Sequence, residues 1–195
     1  GSNAIRLELS KMVQYSSLKE VGINVPPTVA TINSVGIFEA AKLLGYPIIT
    51  KHNRAGKGLG VKLFHNDAEL KNYVYGDDFE PSIDGITLIQ EYIEAPDSSI
   101  TRIEFVNQKI LYALRVDTSG GFDLCPADSC EKRYMGLSTF KQPVLELNKN
   151  PKFSIIKNFS TLPVAQNLVP RMERLMKRVG IEVAAFEFIL DKDLN

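Results

Sequence analysis

Tyr46-Pro47-Ile48-Ile49-Thr50-Lys51 is a short apolar run that ends in a lysine, and Ala55-Gly56-Lys57-Gly58-Leu59-Gly60-Val61 follows it as a glycine-rich loop. Further on, Leu88-Ile89-Gln90-Glu91-Tyr92-Ile93 reads as a second strand. A lysine offers a compact cation with three donors for phosphate oxygens. Glycines let backbone N–H groups approach those oxygens without obstruction. A strand that runs past its sheet partners exposes free donors and acceptors, which an adenine edge can pair with. Lysine, glycine lid and hinge strand together predict a nucleotide held between them. Taken singly, each has a blander reading. The loop is not a Walker motif, since no Gly-Lys-Ser or Gly-Lys-Thr closes it, and glycines at 56, 58 and 60 miss the Rossmann spacing. Alone it reads equally as a surface hairpin with an incidental lysine, and Gln90–Ile93 as an ordinary strand with a charged outer residue.

Outward from this stretch the pattern alternates helix and strand. Met12, Tyr15, Leu18 and Val21 give helical spacing from about Ser10 to Val21, with Gly22 as the stop. Prolines 26 and 27 require an extended chain before Thr28. Ser34 is the expected cap of a helix with Ile37, Phe38, Ala41 and Leu44 on its apolar face, ending at Gly45. Val61–Phe64 returns as a strand, Asn66 with Glu69 suggests a capped helix carrying Leu70 and Val74, and Ile86–Ile93 is again a strand. Beyond Thr101 the alternation of Ile103, Phe105, Ile110, Tyr112, Leu114 and Val116 around Asn107-Gln108 predicts a β-hairpin. Pro170 is read as the start of a helix with Met172, Leu175, Met176 and Val179 inward and Gly180 as its end. Val183–Leu190 closes the pattern as an apolar strand interrupted by Glu187. The expectation is an α+β protein with two small sheets dividing near Pro96.

Composition narrows the function classes. The 195 residues carry 23 basic and 23 acidic side chains, so no charge excess points to nucleic acid. No apolar run approaches the roughly 20 residues of a membrane helix, and no signal peptide is visible, so the cytoplasm is the expected compartment. Gly1-Ser2-Asn3-Ala4 resembles a tag-cleavage scar. A turn-like Asp191–Asn195 after a strand suggests a piece of a longer protein.

Cys125 and Cys130 are too few for a disulfide scaffold, and with His52 and His65 far off they do not assemble a zinc site. Buried thiols or a local redox pair fit them better. Residues 117–143 lack periodicity and read as a mobile, substrate-facing loop. Within it Lys132 and Arg133 are candidates for a substrate carboxylate, with a solvated charge run as the alternative. Glu187, between Phe186 and Phe188, is either a metal ligand or simply a solvent-facing residue of an alternating strand.

In this order the segments resemble the ATP-grasp superfamily, especially its glutamate-ligase-like and glutathione-synthetase-like branch, from Lys11 to Asp191. Gly22-Ile23-Asn24-Val25-Pro26-Pro27-Thr28 resembles the family's Val-Pro-x-Thr segment, and the Lys51 strand, glycine lid and Gln90–Ile93 hinge follow in family order. The resemblance implies two α+β subdomains, 25–95 with the lid and 96–195, with a nucleotide cleft between them and residues 1–24 as tag remnant and leading helix. It implies ATP and Mg2+ as cofactors. Lys11, Lys51, Gly56, Gly58, Gln90, Glu91, Tyr92 and Ile93 would hold the nucleotide, Arg115 and Arg102 would serve catalysis, and Glu187 would bind metal.

The departures are specific. Ile100 stands where the family often has an aspartate before the arginine, so Asp97 becomes the candidate for the ribose. The family's Glu-x-Asn metal pair and its N-terminal substrate domain have no counterpart in these residues. The implied reaction is ligation of a small-molecule or peptide carboxylate to an amine, or a thiol, through an acyl phosphate. The 195-residue chain alone is expected to bind nucleotide weakly and to turn over nothing. The rival reading is a non-catalytic, ATP-binding regulatory or interaction module.

Overall fold

A computed structural model describes residues 2–56, 60–120 and 152–190, which form two four-stranded antiparallel sheets, each with helices packed on one face. Two helices lead, α1 (Ser2–Glu8) and α2 (Lys11–Glu20). Ser10 caps α2 by accepting the Val13 N–H at 3.3 Å. The first sheet then assembles from β1 (Thr28–Thr31), β2 (Ile48–His52), β3 (Lys62–Phe64) and β4 (Thr87–Glu91), in the order β1-β4-β2-β3. Two helices lie between these strands in sequence, α3 (Ser34–Leu44) and α4 (Asp67–Val74).

Strand alternation sorts the side chains of this sheet. Ile48 and Ile89 turn toward the helices and pack with Ile37, Ala41 and Leu70, all at most 1% exposed. Ile49, Lys51 and Gln90 turn to the opposite face. Lys51 lies within β2, opposite Leu88, and not at the strand's end, because pairing with β4 continues to His52 and Thr87.

Two local expectations change. Asn33, not Ser34, caps α3: its extended backbone lets its side chain reach the Gly36 N–H at 2.8 Å, while Ser34 is already the first helical residue. The capping arrangement at α4 is as read. Asn66 accepts the Glu69 N–H at 3.0 Å, and Glu69 reaches back to the His65 N–H at 2.8 Å. Replacing Asn66 by alanine is expected to cost about 1 kcal/mol, a melting shift of roughly 2–4 °C for a chain of this size. An unchanged thermal midpoint would show that the cap contributes nothing.

The second sheet is built from β5 (Ser99–Val106), β6 (Lys109–Asp117), β7 (Phe153–Ile155) and β8 (Val183–Phe188), in the order β7-β6-β5-β8. The hairpin turns at Asn107 and Gln108, both with positive φ (50° and 59°), as a two-residue type I′ connection requires. Its helix, α5 (Pro163–Val179), begins well before Pro170. Pro163 takes the first helical turn, where a missing N–H is harmless. Pro170 sits inside, and the lost hydrogen bond is offset by a long buried stripe that includes Ala165, Met172, Leu175 and Met176. Gly180, at φ 72°, ends α5 as expected.

The core of this second sheet also takes in Val21 and Ile23, which follow α2. The leading helix therefore docks on α5 rather than standing apart. Its N-terminus is held by the first sheet through Asn53, which is 4% exposed. The Asn53 side-chain oxygen accepts from Ser10 Oγ (3.0 Å) and the Met12 N–H (3.1 Å). The backbone carbonyl of Asn53 accepts the Lys11 N–H at 3.1 Å, and its side-chain amide donates to Asp84 at 2.7 Å. This one residue fixes where α2 starts.

Candidate active site

One cleft of about 2140 Å³ is lined by residues of both sheets and extends along α2 and α5 to core residues such as Leu18, Met172 and Phe186. Of the residues singled out from sequence, the cleft brings together Lys11, Lys51, Gly56, Gln90, Glu91, Tyr92, Ile93, Arg102 and Glu187.

At one end stand two lysines. The Lys51 ammonium donates to the Gln90 side-chain oxygen at 2.7 Å and to the Tyr15 hydroxyl at 3.5 Å. Gln90 is itself 2% exposed and donates to Thr28 Oγ1 at 2.7 Å, which donates on to the Pro26 carbonyl at 2.8 Å. Lys11 donates to the Ala55 carbonyl at the start of the glycine loop. Burial, and next the charge of Lys51, push the Lys11 ammonium below its ordinary pKa. Among the described residues neither lysine has a carboxylate within ion-pair distance. Two cations side by side, held only by neutral oxygens, make a place where an anion relieves repulsion.

The described ends of the glycine loop are anchored. Gly60 has φ 70°, and a Cβ there would lie 2.4 Å from the His52 ring, so only glycine fits. Its carbonyl accepts from Thr50 Oγ1 at 3.2 Å, and the His52 ring donates from Nε2 to the Glu80 carbonyl at 2.8 Å. Gly56 is exposed at the other end. Gly58, Lys132, Arg133, Cys125 and Cys130 lie outside the described residues, as does nearly all of the 117–143 loop.

Across the cleft, Arg102 stands between two carboxylates. Its Nε donates to Glu104 at 2.6 Å and a terminal nitrogen to Glu187 at 2.7 Å. Register explains the cluster: Arg102 is directly opposite Glu187, and Glu104 is two residues along on the same face. Burial opposes the guanidinium's charge, but the two carboxylate hydrogen bonds outweigh it and raise its pKa. Glu187 is thus exposed on the face opposite Phe186 and Phe188, which pack on the core.

Arg115 and Asp97 do not line the cleft. Arg115 stands opposite Thr101, on the same face as Ile103 and Ala113. Its guanidinium donates to the Asp97 carboxylate at 3.2 Å and the Asp97 carbonyl at 2.9 Å. The Ser99 hydroxyl first, then Arg115, hold the Asp97 carboxyl below its usual range.

For a metal, the donor chemistry fits a hard cation, since Glu104 and Glu187 offer carboxylate oxygens. No group of three or more His, Cys, Asp or Glu side chains converges among the described residues. A cation here would depend on oxygens brought by its ligand. No described helix is long and apolar enough to cross a membrane.

One residue of the site, Glu104, and one that positions α2 beside it, Asn53, escaped the sequence reading. Glu104 had a signal, its i, i+2 spacing from Arg102 in an alternating strand. Asn53 had none, because its partners come from two segments distant from it in sequence, 10–12 and 84–86.

Comparison with known proteins bears on the family and the fold. The model of the RimK-like ATP-grasp domain matches residues 10–124. Among solved structures, a RiPP-associated ATP-grasp ligase from Chryseobacterium gregarium, in complex with ADP and a leader and core peptide, is 19% identical with a TM-score of 0.61, covering 100% of this chain and 51% of that one. A RimK domain ATP-grasp protein from Sphaerobacter thermophilus is 18% identical with a TM-score of 0.59, covering 98% and 57%. The biotin carboxylase domain of the Hydrogenobacter thermophilus 2-oxoglutarate carboxylase, bound to MgADP, ADP and bicarbonate, is 17% identical with a TM-score of 0.65, covering 98% and 39%. The chain spans about half the length of such structures.

Proposed function

Because the chain belongs to the RimK-like ATP-grasp family, we propose that its cleft binds ATP and that the protein it represents is an ATP-dependent carboxylate–amine ligase. The observation that carries this reading is the pair Lys11 and Lys51, two cations that form no ion pair among the described residues, one of them hydrogen-bonded to the first hinge residue, Gln90. Phosphates take the lysine end. Adenine takes the hinge at Glu91 and Ile93.

In the proposed reaction a carboxylate oxygen attacks the terminal phosphorus of ATP, the bond to ADP breaks, and an acyl phosphate forms. An amine then attacks the acyl carbon and phosphate leaves. The first step brings one anion onto another, and Lys11, Lys51 and Arg102 would reduce that repulsion. Magnesium, where it accompanies the nucleotide, would neutralise phosphate charge, held by phosphate oxygens with Glu187 and Glu104 as protein carboxylates. Arg102 would then pass from Glu187 to phosphate. Arg115 and Asp97, tied to each other outside the cleft, have no direct part in this reading. One structural neighbour binds a leader and core peptide, so peptide carboxylates belong in the substrate screen beside small ones.

Calorimetry tests the nucleotide half. ATP should bind, and GTP, with a reversed donor and acceptor at the base edge, should bind at least about tenfold more weakly, since unpaired polar groups cost about 1–3 kcal/mol. Comparable affinities would remove the hinge. ADP release that requires both a carboxylate and an amine tests the ligase half. ATP binding without any such turnover, in a protein spanning the full family length, would favour the regulatory-module reading.

A further inference from the structure

The backbone at the end of β4 has an asymmetry that two prolines create. β1 pairs with β4 with Thr28 opposite Gln90, which sets Pro27 opposite Glu91. The Glu91 N–H donates to the Pro27 carbonyl at 3.0 Å. In an antiparallel ladder such a pair exchanges two bonds, the second running from residue 27 to the Glu91 carbonyl. Proline has no N–H, so that return bond is absent. On the other flank the Tyr92 N–H donates to the Pro47 carbonyl at 3.2 Å, and Pro47 also has nothing to return. β4 is thus held at its end through its donors. The Glu91 carbonyl keeps no ladder partner on the β1 side, and it belongs to a residue that lines the cleft.

From this we infer that Pro27 determines base selectivity: by withholding an N–H, it reserves the Glu91 carbonyl as acceptor for an exocyclic amine on the purine. This rests on the nucleotide reading of the cleft and deepens it. The ring nitrogen beside that amine is an acceptor in adenine and pairs with the Ile93 N–H, which lies beyond the ladder. A base with a keto oxygen in the amine's place sets acceptor against acceptor. Any residue other than proline at position 27 brings an N–H that competes for the same carbonyl. A sequence reading that treats prolines 26 and 27 only as helix breakers does not see this role, because it depends on which strand lies opposite.

The experiment compares the wild type and Pro27→Ala by calorimetry with ATP, ITP and purine riboside triphosphate, which has neither amine nor keto group. The wild type should prefer ATP over purine riboside triphosphate by roughly tenfold, the worth of a well-placed hydrogen bond that leaves no group unpaired. Pro27→Ala should weaken ATP by several-fold and leave purine riboside triphosphate unchanged, so the ratio narrows. The amide introduced at position 27 should be slow in hydrogen exchange in the free protein and faster with ATP bound. A wild type that binds purine riboside triphosphate as tightly as ATP would overturn the inference without any variant having to fold. So would an unchanged ratio in Pro27→Ala, or free exchange at the new amide. A wild type that binds none of the three would instead strike at the nucleotide reading, and the inference would fall with it.

Discussion

Lys51→Ala is expected to weaken ATP binding by roughly 10- to 150-fold, because a hydrogen bond to a charged group is worth about 1.5–3 kcal/mol. In the free protein the Lys51 ammonium is held by Gln90 at 2.7 Å and Tyr15 at 3.5 Å, both neutral partners. It can therefore turn to phosphate without breaking an ion pair among the described residues. The substitution also strips the side-chain oxygen of Gln90 of its donor, and Gln90 is 2% exposed. A small loss of stability should accompany the loss of affinity. Lys51→Gln separates the two effects, since its amide can still donate toward Gln90 while carrying no charge. It should keep most of the stability and lose most of the binding. Calorimetry that returns wild-type ATP affinity for Lys51→Ala would place the phosphates elsewhere in the cleft.

Phe105→Ala should produce the largest change in stability, about 3–5 kcal/mol, the usual loss for truncating a buried aromatic. Phe105 is fully buried and meets Phe186 edge-on, with ring centroids 5.5 Å apart and an interplanar angle of 77°. It joins β5 to β8 and to α5, so the cavity it leaves cannot close by moving one side chain. For a chain of this size the melting point should fall by roughly 6–20 °C. Because Arg102 and Glu187 stand on the opposite face of these same strands, the loss should also loosen the cluster they form with Glu104. Phe105→Leu should cost far less. A melting point within about 2 °C of wild type would mean that the second sheet does not pack on α5 as described.

Much of the architecture was legible where the signal is local. The hairpin at Asn107-Gln108, the α4 cap at Asn66 and Glu69, and the glycine ends of α3 and α5 each depend on residues within a few positions of one another. Local rules also failed where two neighbours satisfied the same rule. Asn33 and Ser34 are both good caps, and Pro163 and Pro170 can both open a helix. What chose between them was which one had an extended backbone, or how far α5 had to run to cover its sheet.

By itself, the sequence determined the order of strand lysine, glycine loop and hinge, and with it the ATP-grasp family and α+β class. The class follows from short-range backbone preferences and from side-chain period, which the chain carries along its own length, and the family from the resemblance of those motifs in their order. Only the tertiary structure decided that Val21 and Ile23 belong to the second core and that Asn53 anchors α2. It alone set Arg102 between Glu104 and Glu187, and turned Arg115 to the other face of the sheet. It also placed a proline opposite Glu91. Each of these is a matter of strand register or of packing between distant segments. A shift of one residue in register moves every side chain of a strand to the other face, so composition and spacing leave such partners undetermined until the sheets have formed.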